Sequence, residues 1–105
     1  MRTVDKLIRH TKVYIAGPIT NDPDHYKENF RQAKEFLIHI GYDVVSPAEY
    51  PENLHYNDYI KIGLKDLMEC DAICMLPNWT ESKGACLEHH YAEVTNIPIL
   101  YFPVN

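Results

Sequence analysis

The stretch AICMLPNWTESKGACLE, residues 72–88, decides the fold of this 105-residue chain. Its first five residues form a continuous apolar run, which predicts a strand buried on both faces. A polar loop follows, and residues 83–94 then have the composition of a helix with Ser82 as its N-cap. A buried strand that leads through a short loop into a helix is the repeating unit of parallel α/β sheets.

The same unit recurs in the rest of the chain. Apolar runs predict further strands at residues 12–16, 42–46 and 97–102. Apolar residues spaced by three or four predict helices over residues 26–40 and 56–69. The apolar positions are Tyr26, Phe30, Ala33, Leu37 and Ile40 in the first helix, which Gly41 should end, and Tyr59, Ile60, Leu64, Leu67 and Met68 in the second.

This alternation predicts an α/β fold with a parallel sheet of four to five strands between two helical layers. We therefore expect one flavodoxin- or Rossmann-like three-layer sandwich over residues 1–105, with residues 1–11 as an N-terminal extension. Ligands of open parallel sheets bind beyond the carboxyl ends of the strands. The loops at 17–24, 47–55 and 77–82 should therefore surround the binding site.

Composition excludes several classes of protein. The longest apolar runs are about five residues, far below the ~20 that a membrane-spanning helix needs, and no signal peptide is expected. The net charge of −5 argues against a partner that is a nucleic acid polymer. Three cysteines, an odd number, favour reduced thiols and a cytoplasmic location. Cys86, His89 and His90 match no common zinc spacing, so no metal is expected.

The loop before the third helix has the residues of an anion site. Ser82, Gly84 and the free N–H groups of a helix start can bind a small anion, and Glu88 follows about one turn later. Read alone, Glu88 fits an exposed or salt-bridged helix residue better than a site residue. The glycine of the loop Gly17–Thr20 either admits a ligand close to the backbone or forms an ordinary turn.

Three segments together resemble a known superfamily. They are YIAGPIT at 14–20, GYDVVSPA at 41–48, and CDAI with LPNWTESKGA leading to Glu88 at 70–88. Over about residues 12–102 the chain resembles the nucleoside 2-deoxyribosyltransferase superfamily. It is most similar to a small, mostly phage and bacterial branch known only as a domain of unknown function, DUF4406.

The resemblance implies an enzyme that cleaves the N-glycosidic bond of a 2′-deoxynucleoside or its 5′-monophosphate. The deoxyribosyl group would pass to water or to another base. Glu88 would be the nucleophile that attacks C1′, with Tyr14 beside it. The residues implied to hold sugar or phosphate are Gly17, Pro18, Ile19, Thr20, Ser82 and Gly84, with Trp79 covering the base. No cofactor is implied, and the resemblance favours a homo-oligomer with sites built from two subunits.

The chain departs from the active members at one position. They carry an aspartate that assists protonation of the leaving base where this chain has Gly63. Asp66 and Asp58 are nearby carboxyls that could take its place, although neither matches the family position. The alternatives to an enzyme are thus a binding protein for a nucleotide or ADP-ribose-like molecule and an interaction protein that docks through Trp79. The tyrosines expected in the core or at a subunit contact are Tyr56, Tyr59, Tyr91 and Tyr101.

Overall fold

A computed structural model describes residues 11–103 of the chain, so nearly all of the predicted N-terminal extension lies outside the described residues. The strands are β1 (Lys12–Ala16), β2 (Asp43–Val45), β3 (Ala72–Met75) and β4 (Ile99–Tyr101), and the helices are α1 (Tyr26–His39), α2 (Tyr56–Met68) and α3 (Lys83–Thr95). Short 3-10 helices lie at Pro47–Glu49 and Trp79–Glu81. The predicted order of strands and helices is confirmed.

The four strands form one parallel sheet in the order β2-β1-β3-β4. From β1 the chain crosses outward to β2 and then returns to place β3 on the other side of β1. Strand order therefore reverses between β1 and β3, where Tyr14 is paired with Ile73. Parallel sheets form a ligand crevice beyond the carboxyl ends of the strands at such a reversal.

The two faces of the sheet are covered by different helices. Side chains alternate between faces along a strand, so Val13 and Ile15 pack with α1 while Tyr14 packs with α2 and α3. Leu67 of α2 and Ala85 of α3 are buried in the same cluster as Tyr14. This confirms the predicted three-layer sandwich, and it turns Tyr14 toward the helix that carries Glu88.

Two helix boundaries have the local cause that the sequence indicates. After α1, Gly41 adopts a φ of 108°, a conformation that side chains disfavour, and its N–H bonds to the Ile38 carbonyl at 3.0 Å. Before α3, the Ser82 hydroxyl accepts from the Ala85 N–H at 3.1 Å.

Two residues predicted on the apolar faces of α1 and α2 are exposed, so the prediction is wrong for them. Ile40 lies beyond the end of α1 and is 51% exposed, and Met68 ends α2 at 60% exposed.

The part of the chain that the structure describes contains no helix with the length and apolar character needed to cross a bilayer. All three cysteines are free thiols. Cys70 and Cys74 are buried, which agrees with their prediction as small apolar residues of the core.

We expect Leu37→Ala to lower the free energy of unfolding by about 2–5 kcal/mol, because its side chain is fully buried between α1 and the sheet. Urea unfolding measures the loss. The matched control is Ile38→Ala, which removes a similar side chain that is 51% exposed and should cost less than about 1 kcal/mol. Equal losses for the two variants would contradict the buried face assigned to α1.

Candidate active site

A buried carboxyl lies at the centre of the crevice. Glu88 of α3 is 8% exposed, and Tyr14 of β1 is 1% exposed. The Tyr14 hydroxyl donates to Glu88 Oε2 at 2.7 Å, joining two residues that are 74 positions apart in the sequence. A buried carboxyl without a partner is costly, so this hydrogen bond is what allows Glu88 to remain inside the fold.

The environment changes the acidity of both groups. Burial raises the pKa of Glu88 to about 7, although the hydrogen bond from Tyr14 acts to lower it. Burial also raises the pKa of Tyr14, and the charge of Glu88 and the hydrogen bond to it raise that pKa further. Tyr14 therefore stays a hydrogen-bond donor, while Glu88 exchanges its proton near neutral pH. Carboxyls shifted in this way, in a cleft and beside a specific partner, are typical of functional sites.

Helix α2 approaches the Tyr14–Glu88 pair closely at Gly63. A Cβ atom at this position would lie 2.6 Å from the Tyr14 hydroxyl and 2.7 Å from Glu88 Oε2. Position 63 thus faces the carboxyl directly. With the pair in its present position, only glycine fits there.

A cavity of about 380 Å³ opens beside the pair. Its walls come from the loop after β1, from the segment between β2 and the middle of α2, and from the start of α3. The predicted site residues that line it are Tyr14, Gly17, Ile19, Thr20, Ser82, Gly84 and Glu88. The structure therefore brings seven of the nine predicted residues together around one space.

The two other predicted residues, Pro18 and Trp79, are not among those that line the cavity. Pro18 is buried in the loop after β1. Trp79 stacks on His89, with ring centroids 4.2 Å apart and planes 19° apart, and the His89 ring is also 3.0 Å from the Tyr101 hydroxyl. In this arrangement Trp79 does not lie over the cavity.

Close packing explains why residue 17 is a glycine, and the sequence did not reveal this packing. A Cβ atom at this position would lie 2.8 Å from Leu76 Cβ. The backbone at the end of β1 therefore passes against the end of β3, and this close approach explains the glycine as well as any ligand does.

The sequence reasoning missed the aromatic part of the cavity. Tyr56, Tyr59 and Ile60 from the start of α2 line it, together with Tyr26 from the start of α1. Four tyrosines were predicted in the core or at a subunit contact. Tyr56 and Tyr59 face this space and Tyr101 is 52% exposed, so these three are not in the core, and a subunit contact stays a prediction for them. Tyr91 does pack against the core. The available signal was the i, i+3, i+4 spacing of 56, 59 and 60, which lie on one face of α2.

Charge in the cavity is acidic. Among its described lining residues, Glu52 and Glu88 are the charged ones, with no lysine, arginine or histidine. Glu52 is paired with Lys27 at 2.5 Å. Hydrogen-bond donors for an anion remain at the start of α3, where the N–H groups of the first turn have no acceptor within the helix. Within residues 11–103, no group of three or more His, Cys, Asp or Glu side chains is arranged to hold a metal ion.

Comparison with known proteins agrees with this fold. The family model "Domain of unknown function (DUF4406)" matches residues 11–101. The 2-deoxyribosyltransferase of the psychrotolerant bacterium Bacillus psychrosaccharolyticus has a similar structure, with a TM-score of 0.68 and 19% identity over 87% of this chain. The 2-deoxyribosyltransferase from Leishmania mexicana gives a TM-score of 0.68 and 20% identity over 88% of this chain. The chain spans 71% and 63% of the lengths of these two structures, and no curated protein matches it in sequence.

We expect Gly63→Ala to destabilise the protein by about 1–3 kcal/mol, because the added methyl group must displace Tyr14 or Glu88. In an open helix the same change would stabilise by up to ~1 kcal/mol. Thermal unfolding measures the difference. The control is Gly84→Ala, whose Cβ would meet Ile60 Cδ1 at 2.8 Å, the mobile end of a side chain. If Gly63→Ala were as stable as the wild type, the close approach of α2 would be wrong.

The raised pKa of Glu88 predicts a pH dependence of stability. The carboxyl ionises near pH 4.5 in the unfolded chain and at about 7 in the folded protein, so between these values the folded state binds more protons. Its contribution to stability is complete below pH 4.5 and is lost as the pH rises through 7. The total loss is on the order of 3 kcal/mol.

Glu88→Gln has no titrating group at this position and serves as the reference. We expect its free energy of unfolding to increase relative to that of the wild type by this amount between pH 4.5 and 7.5. Urea unfolding of both proteins across this range measures the difference, because other titrating groups contribute equally to the two. A difference that stayed constant with pH would contradict the raised pKa.

Proposed function

The chain belongs to the DUF4406 family, and we propose that it is an N-glycosidase or deoxyribosyltransferase for a 2′-deoxynucleoside or its 5′-monophosphate. The observation that carries this proposal is the buried Glu88 carboxyl, which Tyr14 holds at the wall of a cavity at the strand-order reversal. A carboxylate beside a cavity of this kind is what an oxocarbenium-like centre requires.

The proposed reaction begins with attack of Glu88 on C1′ of the sugar. Tyr14 occupies Oε2, and no hydrogen bond from another described residue reaches Oε1, which leaves this oxygen for attack. The bond from C1′ to the base breaks, and its electron pair stays on the base nitrogen. Water or a second base then cleaves the resulting ester and regenerates the carboxylate. No cofactor takes part in these steps.

The shape of the cavity supports a ligand of nucleoside size. Its volume of about 380 Å³ is within the range of small-molecule sites. Tyr26, Tyr56 and Tyr59 offer aromatic surface on which a base can stack. In this proposal one of these tyrosines covers the base in place of Trp79, because Trp79 is already stacked on His89.

The acidic lining bears on whether the substrate carries a phosphate. A 5′-phosphate would have to be held by the Ser82 hydroxyl and by the N–H groups of Lys83 and Gly84, without a cationic side chain from the described lining. Such binding is weaker than at an arginine-lined site. The comparison of each nucleoside with its monophosphate is therefore part of the experiment below.

A second candidate function is a nucleotide-binding protein with weak or no turnover. Gly63 is the observation that favours it, because the aspartate that protonates the leaving base in active members is missing from the position that faces Glu88.

We also propose that the chain acts as a homo-oligomer in the cytoplasm. Its exposed apolar side chains, such as Leu87, Val94 and Tyr101, support a subunit contact.

We expect the wild type to release free base from at least one member of a panel of deoxynucleosides and their 5′-monophosphates. Glu88→Ala should lower the rate about a thousandfold or more, because the nucleophile is lost. Chromatography of the free base is the measurement. The matched control is Glu93→Gln, which changes an exposed carboxyl of the same helix and should retain the wild-type rate.

Two results would count against the enzyme. Equal rates for the wild type and Glu88→Ala would rule out Glu88 as the nucleophile. No release from any substrate, together with protection against thermal unfolding by one of them, would favour the binding protein.

A further inference from the structure

A second cavity, between residues 27–34 of α1 and residues 46–52, adjoins the one described above. Its volume is about 350 Å³, and Glu52 lines both cavities, so the two spaces share a wall. The first cavity has no cationic side chain among its described lining residues. The second is lined by three of the ten lysine and arginine side chains of this acidic chain, which are Lys27, Arg31 and Lys34. The proposed function makes no use of this space.

The three cationic side chains form one stripe along α1. Positions 27, 31 and 34 are spaced by four and three residues, so they lie on one face of the helix. This face borders the buried side of α1, because Phe30 belongs to the core and also lines the second cavity. The other wall of the cavity comes from residues 46–52, which follow β2. Positive charge on one element therefore faces a segment from another part of the chain.

Two carboxylates of that segment are paired with the lysines. Lys27 pairs with Glu52 at 2.5 Å. Lys34 pairs with Glu49. The four side chains are between 32% and 69% exposed, and exposed ion pairs of this kind are weak. A ligand with more acceptor oxygens can therefore replace these carboxylates at little cost.

Arg31 differs from the two lysines. Its guanidinium group pairs with Glu28 at 2.5 Å and with Glu35 at 2.6 Å, and both carboxylates belong to α1 itself. These bonds hold the guanidinium group along the helix and offset its charge. The lysines are therefore the cations that remain for direct contact with a ligand.

A buried hydroxyl without a partner gives independent evidence for a ligand. Ser46 lines the second cavity and is 6% exposed. It precedes the 3-10 helix at Pro47–Glu49, yet its side chain does not cap this helix. None of the hydrogen bonds between described residues involves its hydroxyl. Buried hydroxyls are rarely left without a hydrogen bond, so we expect the partner of Ser46 to be a molecule in the cavity.

We propose that the second cavity binds a phosphate group through the ammonium groups of Lys27 and Lys34 and the hydroxyl of Ser46. A phosphate dianion has oxygen acceptors for all three donors, and it carries the charge of the two paired carboxylates together. In the bound form it replaces Glu49 and Glu52. Because Glu52 also lines the first cavity, its release changes the shared wall.

The phosphate group has two possible sources. It is either free inorganic phosphate or the phosphate of a nucleotide whose base and sugar occupy the first cavity. This site is separate from the N–H groups at the start of α3. The inference goes beyond the proposed function and does not depend on turnover.

The first experiment uses inorganic phosphate and needs no activity. Isothermal titration calorimetry at constant ionic strength should show saturable binding to the wild type, with a Kd on the order of 1 mM or lower. We expect Lys27→Gln/Lys34→Gln to weaken binding by about tenfold or more. The matched control is Lys61→Gln/Lys65→Gln, which removes the same charge from exposed positions of α2 and should change the affinity by less than about twofold. Equal weakening in both double variants, or no saturable binding, would overturn the site.

Two further variants separate a built site from general attraction between charges. Ser46→Ala changes no charge, and we expect it to weaken phosphate binding by about threefold to tenfold. Glu49→Gln/Glu52→Gln should strengthen binding by about threefold or more, because the competing carboxylates are gone. Its control, Glu69→Gln/Glu81→Gln, makes the same change of charge at exposed positions outside the cavity. Unchanged affinity in Ser46→Ala, or equal strengthening in both glutamine pairs, would contradict the proposal.

The second experiment distinguishes the two sources of the phosphate. The common 2′-deoxynucleoside 5′-monophosphates and their nucleosides are titrated with and without saturating inorganic phosphate. If the nucleotide supplies the group, inorganic phosphate competes with the monophosphate alone, and Lys27→Gln/Lys34→Gln abolishes this competition. If the site takes free phosphate, the monophosphate binds equally well in both conditions.

Competition that persists unchanged in the lysine variant would place the shared phosphate site at the start of α3 and overturn the proposal. Failure of the proposed function has a different result. In that case no free base appears from any substrate, while the binding of inorganic phosphate and its dependence on Lys27, Lys34 and Ser46 are retained.

Discussion

The hydrogen bond between Tyr14 and Glu88 is the interaction on which the rest of the site depends. It joins the central strand β1 to helix α3 through two side chains that are almost fully buried. Without it, the carboxyl of Glu88 would be buried with no described partner, a state that costs several kcal/mol or keeps the group permanently protonated. The same contact therefore connects helix α3 to the sheet and shapes the chemistry of the cavity.

Close packing around this contact limits what the neighbouring positions can hold. Gly63 lets the backbone of α2 come against both oxygens of the pair, and Gly17 lets the end of β1 come against Leu76. Each glycine removes a side chain where two elements of the sandwich must nearly touch. With the Tyr14–Glu88 pair in its present position, position 63 therefore has no room for a side chain.

Burial is the main cause of the pKa shifts in the cavity, because no cationic side chain is among its described lining residues. Burial raises the pKa of Glu88 to about 7 and raises the pKa values of Tyr14 and Tyr50 as well. These shifts favour neutral forms, and hydrogen bonds between the groups take the place of ion pairs. A carboxyl that changes its charge near neutral pH, next to phenols that keep their protons, can act as a nucleophile only in its ionised form.

The sequence by itself determined the order of strands and helices, the helix stop at Gly41 and the N-cap at Ser82, and its family resemblance made Glu88 a candidate nucleophile. These features depend on local patterns: alternation of apolar runs, turn residues and short motifs within one segment. The tertiary structure alone decided that Tyr56 and Tyr59 face the cavity, that Trp79 stacks on His89, and that Tyr50 donates a hydrogen bond to Asp66. Such contacts depend on how far each helix rotates and slides over the sheet. Close packing of whole side chains fixes that placement, and no local pattern in the chain encodes it.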